Sequence, residues 1–202
     1  MSGSVSRRRA ARPVDAPDPD LADVLAAQAD RAAFAVLYRR YVDRVYGYAF
    51  YQLGDHHDAE DATERTFMAA LRALPGFEDR GSTFRAWLFR IAHNTVANAH
   101  RSRSRRRTDP IPDSFEHAAP NADPARLVAL ADELHEVRRA IAGMSEDRRQ
   151  VILLRFVDGL STAEVAEVLD RSPGAVRVLL HRALRDLAER MGGPSEAEPT
   201  SL

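Results

Sequence analysis

Apolar positions along this chain recur at intervals of three and four, and no alternating run suggests a strand. The pattern therefore predicts an all-α protein. Phe34, Leu37, Tyr38, Tyr41, Val45 and Tyr48 fall on one helix face. Gly54-Asp55 interrupts that helix, and the next carries Ala59, Ala62, Phe67, Ala70, Leu71 and Leu74 up to the stop at Pro75-Gly76. After a polar loop, Phe84, Trp87, Leu88, Ile91, Thr95 and Ala99 form the predicted inner face of a further helix.

The periodicity fails at both ends and once in the middle. Residues 1–19 are rich in Ser, Arg, Pro and Asp and read as a tail, as do residues 192–202. Residues 108–123 carry Pro110, Pro112 and Pro120 among acids, the composition of an extended flexible linker. Two small helical domains are expected, residues 20–107 and 124–191. Asp123-Pro124 supplies the N-cap and first turn of the second.

Within the second domain, Ser161-Thr162-Ala163-Glu164 has capping-box spacing, and Val165, Ala166, Val168 and Leu169 form the inner face of a short helix. Asp170-Arg171-Ser172 makes a three-residue turn. Ser172 caps a helix that begins at Pro173, with Ala175, Val176, Leu179, Ala183 and Leu184 as its predicted buried stripe. Two short helices joined by so tight a turn are the DNA-binding helix-turn-helix. On the outer face of the second helix, Arg177 and His181 are placed to read base edges, with Ser172 and Gly174 nearest the groove. Arg171, Arg182 and Arg185 suit phosphates.

Charge adds segregation. The net charge is −1, and all 29 basic residues are arginine. Five of them crowd into Arg101–Arg107 with no acid among them, whereas the stretches Asp15–Asp30 and Asp58–Glu64 are acidic. Separate surfaces of opposite sign imply separate partners. The basic run is read as a backbone-binding clamp whose contribution falls with salt. Cysteine is absent, which excludes disulfides and thiolate metal sites. No apolar run is long enough to span a bilayer and the N-terminus lacks a secretory pattern, so membrane insertion is not expected and a cytoplasmic location is.

A helix-turn-helix by itself leaves many regulators open, and the upstream block narrows the choice. Residues 34–53, "LGDHHDAEDATERTFMAALRAL", "FRAWLFRIAHNTVANAHR" and "MSEDRRQVILLRFVDGLSTAEVAEVLDRSPGAVRVLLHRALRDL" together resemble the extracytoplasmic-function sigma factors, in both domains and in order. The resemblance implies a transcription initiation factor that binds core RNA polymerase and directs it to promoters within a regulated stress, signal or developmental response. By resemblance, Asp58, Asp61, Glu64 and Phe67 lie at the polymerase contact. The helix with Arg85, Arg90, His93, Asn94, Asn98 and Arg101 engages the promoter −10 element, and the helix-turn-helix engages the −35 element. The loop from Pro75 to Thr83 corresponds to one that captures a flipped base, and an anti-sigma factor is an implied partner. Arg65 departs from the family's usual acid. Trp87 is read as core packing.

The linker is compatible with this geometry. Its 16 residues span roughly 50 Å when extended, and with the domains' own widths could straddle sites nearly two DNA turns apart.

Two rival readings compete with this one. A stand-alone helix-turn-helix regulator would bind duplex operators alone, usually as a symmetric dimer. An enzyme or metal site built on Asp55-His56-His57-Asp58 finds no second ligand pair, and no phosphate loop or nucleophile motif is present. No cofactor, no metal and no catalysis are expected.

Overall fold

The computed structural model describes residues 18–79, 81–106 and 136–192, all of it helix and loop with no strand among the described residues. The linker, the Asp123-Pro124 cap and residues 193–202 of the C-terminal tail lie outside the described residues.

The first domain is a bundle of α1 (Leu21–Ala29), α2 (Phe34–Leu53), α3 (His56–Ala73) and α4 (Phe84–Arg106). Its core gathers Leu37, Tyr41, Val45 and Tyr48 of α2, Ala59, Phe67 and Ala70 of α3, and Phe84, Leu88, Phe89 and Val96 of α4. Each large apolar side chain sealed there stabilises the fold by about 1.5–3 kcal/mol. Local chemistry sets the joints. Gly54 ends α2 in the left-handed region at φ 69°, where a side chain would be strained. Asp55 then caps α3 by accepting from the Asp58 N–H at 2.9 Å.

Four sequence expectations shift here. Asp18 is buried and accepts from the Phe84 N–H at 2.5 Å, so a residue read as tail helps hold the start of α4. Tyr38 is 44% exposed, because its ring lies on the rim against Phe67 (centroids 4.8 Å apart) instead of beneath it. On α4 the fully buried positions are Phe84, Ala86, Leu88, Phe89, Ala92 and Val96, while Trp87, Ile91, Thr95 and Ala99 are half-buried on the flank. In α8, Val176, Leu179, Leu180, Ala183 and Leu187 face inward, whereas Ala175 and Leu184 are exposed.

The second domain contains a helical stretch at 136–142 (α5), α6 (Glu146–Ile152), α7 (Thr162–Val168) and α8 (Pro173–Arg190). A π-helical turn, Leu153–Val157, follows α6. Val151, Ile152, Leu153, Leu154, Leu160, Val165, Val168 and Val176 form its core. Asp186 is buried in α8 and held by Arg148 at 3.0 Å and Arg190 at 2.8 Å. Burial pushes its carboxyl up, but hydrogen bonds from those two guanidinium groups outweigh that and hold it below the ordinary carboxylate range.

The two domains touch. Helix α7 packs against α4, and α6 against α2.

Candidate nucleic-acid interface

The α7–turn–α8 hairpin follows the capping chemistry written in its sequence. The Ser161 Oγ accepts from the Glu164 N–H at 3.2 Å, and the Glu164 carboxylate accepts from the Ser161 N–H at 2.8 Å. Asp170 takes a positive φ of 51° to turn the chain. Ser172 then accepts from the Ala175 N–H at 3.1 Å, with Pro173 at the first helical position. This turn exposes Arg171, Ser172, Gly174, Arg177, His181, Arg182 and Arg185 together. Arg171 reaches back to Asp147 at 2.8 Å, and Arg185 lies 3.8 Å from Glu189 on its own helix. Such exposed pairs are weak and exchange readily for phosphate.

On α4 the candidates divide. Asn94, Asn98 and Arg101 are exposed, and the Arg101 guanidinium donates to the Asn98 side-chain oxygen at 2.5 Å. Arg90 is half-buried at the edge of a cavity. Arg85 and His93 are half-buried instead of facing solvent: Arg85 turns toward the second domain, while the His93 Nδ1 lies 3.2 Å from the Tyr48 hydroxyl of α2 in its own domain. Arg85 is bound to Glu164, and burial lowers the His93 pKa, with α6 acids Glu146 and Asp147 opposing. Of the basic run, Arg101 alone has a described side chain, and Arg107 lies outside the described residues.

The cavity lies beside the Pro75–Thr83 loop and holds about 490 Å³. Phe77, Ser82, Trp87, Arg90, Asn94 and, from the second domain, Glu167 contribute to its wall. Two features build it. The Gln28 side chain donates to the carbonyls of Leu74 and Phe77, both at 2.9 Å, which ties the loop to α1. Trp87 packs on Phe77 and Phe84, with ring centroids 5.1 and 5.6 Å away. The tryptophan is therefore both a packing residue and a cavity wall. An aromatic face, an amide and a guanidinium around one hollow have the chemistry to hold a planar base.

The acidic face of α3 is a third surface. Asp61 and Glu64 are exposed and Asp58 is half-buried. Phe67 is 5% exposed and packs on Phe34 and Tyr38, so it supports this face from beneath and offers no contact surface of its own. Arg65 forms an ion pair with Asp61 at 2.8 Å. Among the described residues, no group of three or more His, Asp or Glu is placed to hold a metal. No described helix is long and apolar enough to cross a membrane.

Sequence reasoning missed Thr83 and Glu164 as partners. The Thr83 hydroxyl donates to the Glu164 carboxylate at 2.6 Å across the domain boundary. Both residues had complete local explanations, as a loop end and a capping-box acid.

Comparison with known proteins places two family models on the chain in order. Sigma-70 region 2 matches residues 37–106, and Sigma-70, region 4, matches residues 134–187. The ECF RNA polymerase sigma factor BldN of Streptomyces coelicolor is 39% identical over 168 residues, 80% of this chain and 62% of that protein. The chain thus spans less than two thirds of BldN's length. The ECF RNA polymerase sigma factor ShbA of Streptomyces griseus is 34% identical over 140 residues, 66% of this chain and 73% of ShbA. Among solved structures, CnrH in complex with the cytosolic domain of CnrY matches with a TM-score of 0.64 and 28% identity. That match covers 87% of this chain and 99% of CnrH.

Proposed function

This chain belongs to the extracytoplasmic-function sigma factor family, and from that premise we propose that it binds core RNA polymerase and directs it to specific promoters. The observation that carries this reading is the pairing, in one chain, of two DNA-suited faces of different chemistry. The α8 face, with Arg177 and His181 exposed at the start of a capped recognition helix, suits base edges in a duplex major groove. Arg171, Arg182 and Arg185 hold the flanking phosphates, while Ser172 and Gly174 approach the groove most closely. This face reads the −35 element.

The α4 face suits an opened strand. Asn94 and Asn98 offer amides to base edges, Arg90 and Arg101 offer charge to the backbone, and the cavity beside Trp87 receives a base removed from the stack. Unstacking costs a few kcal/mol, and base-edge hydrogen bonds with aromatic contact offset it. Arg85 and His93 complete this face. It reads the −10 element.

Polymerase docks on α3, where Asp58, Asp61 and Glu64 present carboxylates and Tyr38 and Met68 expose apolar surface beside them. The division follows the domains, 20–107 for polymerase and −10 contacts and 124–191 for −35 contacts, with 108–123 as the tether. The protein works in the cytoplasm as an initiation factor and catalyses no reaction itself. Its activity is held in check by an anti-sigma factor, a reading supported by family membership and by the CnrH neighbour's complex with a cytosolic protein domain.

Affinity for core polymerase tests the reading. Asp61→Arg/Glu64→Arg should weaken binding about tenfold or more through like-charge repulsion, and Arg65→Glu should not. Equal binding by the double reversal and the native chain would remove α3 from the contact.

A further inference from the structure

The loop beside the cavity is held at both ends by one short segment that lies far from it in sequence. At the entry, the Gln28 amide donates to the carbonyls of Leu74 and Phe77, each at 2.9 Å. At the exit, the Asp18 carboxylate accepts from the Phe84 N–H at 2.5 Å, across 66 residues of chain. That N–H is the first of α4 and has no partner within its own helix. Thr83, the residue just before α4, accepts instead from the Ala86 N–H at 3.2 Å. Asp18 is itself fixed. Its other oxygen accepts from the Asp20 N–H at 3.0 Å, and the Asp20 carboxylate is bound by the Tyr41 hydroxyl and the Arg40 guanidinium of α2. Asp18, Asp20 and Phe84 are all buried.

Neither Asp18 nor Gln28 lines the cavity. They hold the residues that shape it. Phe77, whose carbonyl Gln28 binds, packs its ring 5.1 Å from Trp87, and Phe84, whose N–H Asp18 binds, packs its ring 5.6 Å from Trp87. The two phenylalanine rings are 5.9 Å from each other. The apolar seat of α1 is supplied by Val24 and Ala27, and the polar contacts on either side of that seat go to the loop. A pocket holds a base firmly only when its walls are already set, because ordering a loose loop around the base consumes the contact energy. We propose that Asp18 and Gln28 are positioning residues for base capture, and that the segment carrying them is a brace that fixes the pocket from both ends of its loop. The proposal rests on the sigma reading, because it needs a base to capture, and it gives α1 a part in promoter discrimination.

The test uses holoenzyme formed from core polymerase and the full chain. The probes are fluorescein-labelled single strands covering the −10 region of a promoter that the native holoenzyme transcribes, intact or with an abasic residue at each position in turn. At the captured position the native holoenzyme should bind the intact strand about tenfold or more tightly than the abasic one, and Gln28→Ala and Gln28→Glu should cut that ratio to about twofold. Affinity for the abasic strand should stay as in the native chain. Asp18→Asn keeps one acceptor oxygen and should fall between. Gln28 is half-buried in the last turn of α1, where alanine is a good helix former, so the fold survives the change. Trp87 is the only tryptophan in the chain, so acrylamide quenching of the free protein reads the pocket wall without DNA and should rise in both Gln28 variants. Variants that melt earlier yet keep the native ratio overturn the proposal, making Asp18 and Gln28 fold contacts only, and the sigma reading then stands. A native holoenzyme that transcribes but shows no preference for the intact strand at any position also overturns it, since no base is captured. A native chain that gives core polymerase neither strand binding nor transcripts removes the sigma reading as well.

Discussion

Asp158 follows the π-helical turn at the domain boundary and is 1% exposed, yet neither carboxylate oxygen has a hydrogen-bond partner. The Arg44 Nε lies 3.9 Å from Oδ1, close enough for attraction and too far for a hydrogen bond, and the guanidinium donates instead to the Asp158 carbonyl. Burial raises the carboxyl from 3.8 to about 7, against the opposing fields of Arg44 and Arg85. A carboxyl whose pKa is raised by folding binds its proton more tightly in the folded chain. Its burial is therefore free of charge cost below the ordinary carboxylate range, and stability falls as pH climbs toward 7. Between about pH 5 and pH 8 the accumulated loss is about 2–3 kcal/mol. Asp158→Asn keeps the shape and abolishes the titration. Any penalty for burying the amide is the same at both pH values, so the pH-dependent part isolates the charge. Urea unfolding followed by far-UV circular dichroism should show the variant gaining about 2–3 kcal/mol on the native chain from the lower pH to the higher. A stability difference that stays constant across that range would mean that burial does not raise the Asp158 carboxyl.

Other expectations follow from single contacts. Arg177→Ala should cost about 1–3 kcal/mol on a cognate −35 sequence in binding by the polymerase complex; a smaller loss shared equally by all sequences would make Arg177 a phosphate contact. Ser172→Ala removes the cap on α8 and should lower stability by about 1 kcal/mol in thermal or urea unfolding. Gly54→Ala forces a side chain into the left-handed region at φ 69° and should cost about 1 kcal/mol by the same measurement, even though nothing crowds the position.

What was legible in the sequence was local. Ser161 with Glu164, and Ser172 with Pro173, act within one turn of their own helices, so spacing alone located the hairpin and the structure adds distances to it. Helix faces were legible less finely. In α8 the buried acid Asp186 sits on the inner stripe because Arg148 and Arg190 neutralise it, and a reading that counts acids as outward rotates the helix toward Ala175 and Leu184. Phe67 has the residue type of a docking contact, but the aromatic cluster with Phe34 and Tyr38 claims it for the interior. The domain boundary left no trace in periodicity. Thr83 and Glu164 are 81 residues apart and Arg44 and Asp158 are 114, and nothing local distinguishes an arginine destined for a carboxylate from one facing water.

Whether this chain supplies promoter recognition to RNA polymerase is decided by in vitro transcription. Purified protein would be combined with sigma-free core polymerase from a GC-rich bacterium and fragmented genomic DNA, and transcript 5′ ends mapped. Discrete start sites that require the protein, each preceded by two spaced elements without palindromic symmetry, are the expected result. Core polymerase that remains inactive, while the protein alone shifts a symmetric duplex site, would contradict it.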